Sequence, residues 1–147
     1  MKITEKEFRV FVRKWHKEFK LNRKLKFERR DNMQYACAIC YDSKNKIDIL
    51  RYKLSYIKHI GKTEFIMLIF HELGHLVNNF LPKTVSQRVK SEYLAEKFAL
   101  QQAKKHFNIS IEKAFLYKEC IYNFVWQEMY PIHAKAFKKL YEEIWRQ

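Results

Sequence analysis

His71-Glu72-Leu73-Gly74-His75 places two imidazoles four residues apart with a carboxylate between them. On an α-helix, positions i and i+4 share a face, so both rings can reach one ion and leave tetrahedral positions for other ligands. Glu72 stands about a quarter-turn round from His71, too far over to ligate well yet close enough to touch a water on the metal. Zinc lowers the pKa of that water from about 15.7 to about 7, and a carboxylate beside it can take the proton and later pass it to a leaving amine. The spacing predicts a hydrolytic Zn2+ centre with His71 and His75 as ligands and Glu72 as general base. A five-residue pattern also occurs by chance in solvated helix ends, so its setting matters. Phe65 to Phe70 is apolar all round, as in a buried helix for which Thr63 is the candidate N-cap. Imidazoles and a carboxylate that follow such a run are costly to bury without partners, and a metal supplies one.

A catalytic zinc site needs a third protein ligand and keeps its fourth position open. The metzincin pattern requires Gly and His where this chain has Asn78 and Leu81, so that class is excluded. The gluzincin pattern takes a Glu from the next helix, with an acidic residue four positions later supporting a histidine, and Glu92-Tyr93-Leu94-Ala95-Glu96 fits it. Sixteen residues separate His75 from Glu92, enough to end one helix, turn at Leu81-Pro82-Lys83 and start another, with Thr84 and Gln87 as a capping box. Ala95 and Ala99 share the face of Glu92 and Glu96, and their small side chains allow close helix approach. Glu92 is read as the third ligand and Glu96 as hydrogen-bond partner of His71 or His75, fixing its tautomer. The reverse assignment stays open, and a lone Glu pair elsewhere would be read as solvated surface.

These residues, with Phe98 and Ala99 completing Glu92-x-x-Ala95-Glu96-x-Phe98-Ala99, make the segment from about Phe65 to Leu100 resemble the ImmA/IrrE family of metallopeptidases and the related minimal gluzincins. The family more often has Asp or Asn at the position of Glu96. The resemblance implies an intracellular zinc protease, with His71, His75 and Glu92 on the metal and Glu72 as catalytic base. Some family members cut DNA-binding repressors, so the implied partner is a protein or peptide substrate of that kind. No repressor-like segment identifies a particular target.

Length and composition set the frame for those residues. With 147 residues, one domain covering 1–147 is the simplest organisation, and abundant aromatics with only two Gly and two Pro favour helices. No apolar run reaches the ~18–20 residues of a membrane span, and Met1 to Glu5 leads into a charged helix instead of a signal segment, so a cytoplasmic protein is expected. Three cysteines suit no secreted disulfide framework. Cys37 and Cys40 have the spacing of a redox or zinc pair, but in a strand positions three apart face opposite ways, so packed thiols are expected; Cys120 reads as core of a late helix. The net charge is +14, and residues 1–30 alone hold twelve Lys/Arg against four Glu, a surplus of eight. Such a field attracts nucleic acid or acidic protein, or simply keeps the chain in solution.

The periodicities predict an α+β fold, helix-rich, with a small three-stranded antiparallel sheet packed on the active-site helix. Thr4 to Lys20 reads as an amphipathic helix with a Thr4/Glu7 capping box and an inner stripe of Phe8, Phe11, Trp15 and Phe19. Leu25/Phe27, Met33 to Tyr41 and Ile47 to Leu50 read as strands of a meander. By analogy with gluzincins, Lys46 to Tyr52 is the expected edge for an extended peptide. Leu54 to Gly61 is expected to loop over the cleft, which puts His59 within reach of the site, although a solvated loop histidine is the commoner outcome. Asn108 or Ser110 is the expected cap of a fourth helix with Ala114, Tyr117, Ile121, Phe124 and Val125 inside, and Pro131 opens a fifth carrying Phe137, Leu140, Ile144 and Trp145. Tyr93, His106, Tyr117, Tyr122 and His133 are unranked candidates to hold an oxyanion.

Two other readings remain at this stage. One is a DNA-associated protease of the SprT type, with a histidine such as His106 or His133 as third ligand. The other is a basic nucleic-acid or protein-binding module with a vestigial site.

Overall fold

The computed structural model describes residues 2–79, 81–110, 112 and 130–145. Thr4 caps α1 (Glu5–Glu18) through the reciprocal bonds with Glu7 expected of a capping box. Phe8, Val12 and Trp15 are buried on its inner face, with Phe11 and Phe19 packed beside them. Phe11 meets Phe65 and Phe70 at ring separations of 4.9 and 6.4 Å, and Trp15 meets Phe70 edge-on at 5.0 Å. Aromatic pairs of this kind each add about 0.5–1.5 kcal/mol beyond the area they bury, so α1 is fastened to the helix that carries the histidines.

Three strands follow, β1 (Lys24–Arg29), β2 (Cys37–Asp42) and β3 (Ile47–Tyr52), in the order β1-β3-β2. The sheet is mixed, not the antiparallel meander that the sequence suggested: β3 pairs parallel with β1 and antiparallel with β2. Period-two patterning identifies strands but carries no information on partners. Burial decides the order, because β3 is the best-buried strand and takes the centre, with Asp48 and Tyr52 inaccessible and Leu50 nearly so. The β2–β3 hairpin turns at Asp42, whose carboxylate accepts the backbone N–H groups of Lys44 and Asn45 and the Asn45 side-chain amide. Asp48, buried on the face towards α1, accepts from Arg23 at 2.8 Å and pairs with His16 at 2.7 Å, tying sheet to helix.

Between the sheet and the helix that carries His71 and His75 the chain makes a single turn, α2 (Leu54–Ile57), and Leu54, Ile57 and Ile60 are buried. The segment expected to loop over the cleft is instead a core plug, because its apolar residues recur at helical spacing. His59 is exposed and does not line the cleft. The histidine-bearing helix α3 (Lys62–Asn78) begins two residues earlier than a Thr63 cap would allow, with Gly61 at the N-cap and no side-chain bond there. Asn79 ends it in the left-handed conformation.

Thr84 and Gln87 form the expected capping box at the start of α4 (Val85–Phe107). Asn108 proves to be its left-handed C-cap, not the N-cap of a following helix. The inner residues expected on that helix, Ala114 to Val125, and Cys120 lie outside the described residues. Pro131 opens α5 (Pro131–Trp145) as expected, and Phe137 and Leu140 are buried against α4. The Lys97 ammonium pairs with Glu143 at 2.8 Å, and the Tyr93 hydroxyl donates to the same carboxylate, which holds α5 along α4. The whole is a helix-rich α+β fold. No helix among the described residues is long and apolar enough to cross a membrane.

Gly74 governs how closely α3 and α4 approach. A Cβ there would stand 3.0 Å from the Ala95 carbonyl oxygen and 3.1 Å from a Phe98 ring carbon. The carbonyl cannot yield without moving α4. Gly74→Ala gains roughly 1 kcal/mol of helix propensity but incurs overpacking of about 1–3 kcal/mol and separates the two helices. The expected net result is a less stable protein with weakened metal affinity, measured by denaturant unfolding and metal titration of the same preparation.

Candidate metal centre

α3 and α4 bring the chemistry together. His71 and His75 project from one face of α3, as their spacing requires, and Glu92 meets them from the first turns of α4. The His71 Nε2 lies 3.2 Å from the His75 Nε2 and 2.9 Å from Glu92 Oε2, and the His75 Nε2 lies 3.4 Å from Glu92 Oε1. Bonds of about 2.0–2.1 Å in tetrahedral array put ligand atoms roughly 3.3–3.4 Å apart, so the spacing suits one small cation. Among the described residues, His71, His75 and Glu92 form the group able to hold a metal ion, with ligand atoms all within 4.8 Å of one another.

The rings are held in the required orientation from behind. The His71 Nδ1 faces Glu96 Oε2 at 2.7 Å, and because an ionised carboxylate only accepts, the Nδ1 carries the proton and the Nε2 is aimed at the centre. Glu96 is 1% exposed, which separates it from a solvated surface carboxylate. The two glutamates therefore take the places assigned from sequence, Glu92 at the centre and Glu96 behind His71. His75 is backed by Ser91, whose Oγ stands 3.2 Å from its Nδ1. Sequence reasoning missed Ser91; the available signal was its position one residue before Glu92, on the side of α4 that faces the later histidine.

Electrostatics at the centre favour a cation. Burial works against charge on His71, but hydrogen bonds to Glu92 and Glu96 outweigh it and push its pKa up to about 10. For Glu92, burial is likewise opposed, by His133, His71 and His75, which hold its carboxyl well below the usual carboxylate range. Glu72 differs: burial raises its pKa, although the two imidazoles pull the other way. One Glu72 oxygen, Oε2, accepts the Ile39 backbone N–H at 2.9 Å. That bond joins α3 to the edge of the sheet.

The same bond identifies which edge faces the site. Lys53 N–H donates to the Ala36 carbonyl, so in this antiparallel ladder residues 36, 38, 40 and 42 address β3 while 37, 39 and 41 turn outward. The outer edge of β2 therefore runs beside Glu72. The segment Lys46 to Tyr52, expected to bind an extended peptide, is the central strand with both edges paired and is unavailable for that purpose. A cleft of ≈ 390 Å³ opens between β2 and the helices, with Tyr35, Ile39, Tyr41, Leu76, Leu81 and Pro82 among its apolar walls. Leu81 is 77% exposed at the rim.

The remaining candidates separate by position. His133 of α5 lines the cleft with its Nε2 3.2 Å from Glu92 Oε2. Tyr93 is engaged with Glu143 and Lys97 outside the cleft, and His106 packs on Trp15 at 4.6 Å. Tyr117 and Tyr122 lie outside the described residues. Cys37 is buried, where desolvation and then Glu72 push its thiol up, whereas Cys40 is exposed. The two point apart, as strand geometry predicts, and make no redox or zinc pair; the expectation that both are packed holds for Cys37 alone.

Compared with known proteins, the chain matches no family model, no curated protein and no solved structure.

A cation entering between His71 and Glu92 must displace the proton on the His71 Nε2, because the ligating imidazole is neutral. With the pKa of His71 raised to about 10, titrating Co2+ or Zn2+ into metal-stripped protein at pH 7 should release about one proton from this ring per ion, and affinity should fall as pH drops. Calorimetry in two buffers of different ionisation enthalpy measures the proton count. No release would contradict the assigned role of His71.

Proposed function

We propose that the protein is a zinc-dependent peptidase that hydrolyses peptide bonds of an intracellular protein substrate. The observation that carries this reading is the meeting of His71, His75 and Glu92 around one centre with the Glu72 carboxylate at the same cleft. Two imidazoles and a carboxylate are the donor set of hydrolytic zinc sites with an open position. When bound, Zn2+ supplies Lewis acidity towards the scissile carbonyl and acidifies water.

The chain's own residues divide the remaining work. Glu72 is the general base: its Oε2 is held by the Ile39 N–H, and burial raises its proton affinity, which suits a group that takes a proton and later returns it to the departing amine. The outer edge of β2 offers the Ile39 carbonyl and the backbone of Tyr41 to an extended substrate, in the manner of strand addition. The apolar walls exclude water and receive substrate side chains. To His133, which lines the cleft from a different helix than the ligands, we assign donation to oxygen charge developing on the substrate. The resemblance to ImmA/IrrE peptidases agrees with this assignment and makes a DNA-binding regulator the first substrate to try.

The SprT-type alternative, with a histidine as third ligand, has one residue in range. His133 sits against Glu92, while His106 packs on Trp15 and is outside the cleft. Zinc content and proteolysis together discriminate. Glu72→Gln should retain stoichiometric zinc while cleavage of an unfolded protein substrate disappears, and equal activity in both proteins would refute the assigned base. Glu92→Ala should lose zinc; full retention would transfer the third-ligand role to a histidine. A protein without zinc affinity would leave only the binding-module reading.

His133→Ala should keep zinc and lower kcat by about 10²–10³-fold with KM little changed, the loss typical of removing one oxyanion donor. Steady-state kinetics on a quenched peptide measures both constants. A change confined to KM would assign His133 to substrate binding.

A further inference from the structure

We propose that the outer stripe of α1, formed by Lys6, Arg13 and Lys17 and continued by Lys20, is a binding face for the phosphodiester backbone of nucleic acid. These four side chains are exposed, and none has a carboxylate partner among the described residues. Lys6, Arg13 and Lys17 stand seven and four residues apart, so they lie within about 40° of one another and span ~16 Å of helix. The neighbouring acids are engaged or turned away. Glu5 is held by Arg9 and the Tyr52 hydroxyl, Glu7 by the Thr4 cap, and Glu28 by Arg51, Arg30 and Lys26. Glu18 is displaced from the stripe by roughly a third of a turn.

Arg13 is pre-positioned. Its guanidinium lies over the Phe27 ring at 5.0 Å, which limits its freedom while the side chain stays exposed. Lys24 and Lys26 have an adequate structural explanation, since charge on the edge strand β1 discourages pairing with another chain. The α1 stripe lies on a helix and has no strand edge to protect. A protein partner would need an apolar centre, and Val10 is the only large apolar side chain exposed on this helix. A repeating anion fits the row of isolated cations better. The face is also compatible with an open cleft, because no residue before Tyr35 lines the latter.

The test is fluorescence anisotropy of a labelled 20-bp DNA duplex and a 20-nucleotide single strand across salt concentrations, using the full chain. Three phosphate contacts imply that duplex affinity falls about 40-fold between 50 and 200 mM salt. A variant combining Lys6→Gln, Arg13→Gln and Lys17→Gln should lose most of that dependence, and with it the low-salt binding. A control combining Lys83→Gln, Lys135→Gln and Lys138→Gln removes the same charge from exposed positions on and beside α4 and α5, and should bind like wild type. Circular dichroism checks that both variants fold. Comparable behaviour of the two strands would assign recognition to phosphates generally, and preference for one would assign its form. Absent binding by wild type, or equal loss in both variants, overturns the proposal.

Discussion

The close contact of α3 with α4 is the constraint on which the rest depends. Gly74 has no side chain, so the backbone of α4 at Ala95 can lie against α3 within van der Waals range. Only at that separation do glutamates on α4 reach the imidazoles of α3 at 2.7–3.4 Å. Gly74, one residue before the second histidine, is thus as consequential for the site as the histidines, although it contributes no functional group.

A consequence of that proximity is a pattern of charges that would be unfavourable without a cation. Two carboxylates face one imidazole, and the second imidazole stands beside it in a largely buried space. Protons meet the demand in part, which is why His71 holds one so firmly, and a dication would meet it more fully. The surrounding structure treats the arrangement as fixed. Ser91 backs one ring, Glu96 backs the other, and the Ile39 N–H holds the Glu72 carboxylate.

The remaining elements set direction. The aromatic seam between α1 and α3 and the Asp48 contacts lock α1 to both helix and sheet, so that β2 lies with its free edge beside Glu72. α5, strapped to α4 by Lys97, Tyr93 and Glu143, brings His133 to the opposite side of the centre. The cleft therefore has a strand on one flank and a helix on the other. Cationic side chains collect on the far side of α1, away from it.

Much of this was legible in the residues themselves. Helical spacing put His71 and His75 on one face because 3.6 residues make a turn, and the Thr4/Glu7 and Thr84/Gln87 capping boxes marked two helix starts to the residue. Glu92 and Glu96 followed from the same periodicity once a second helix was allowed to return against the first. Three matters required the folded chain. The partner of each strand is a long-range choice governed by burial, so the mixed order β1-β3-β2 and the transfer of the free edge from β3 to β2 left no local trace. Leu54, Ile57 and Ile60 recur at helical spacing, but only the neighbours that cover them made this segment a core plug instead of a loop over the cleft. Ser91 and His133 were distinguished from other polar residues only by position, since a hydroxyl or an imidazole acquires a role from what stands within about 3 Å of it. Local periodicity determined which side chains could share a centre; tertiary packing decided which others would surround it, because that depends on distances between segments the sequence does not order.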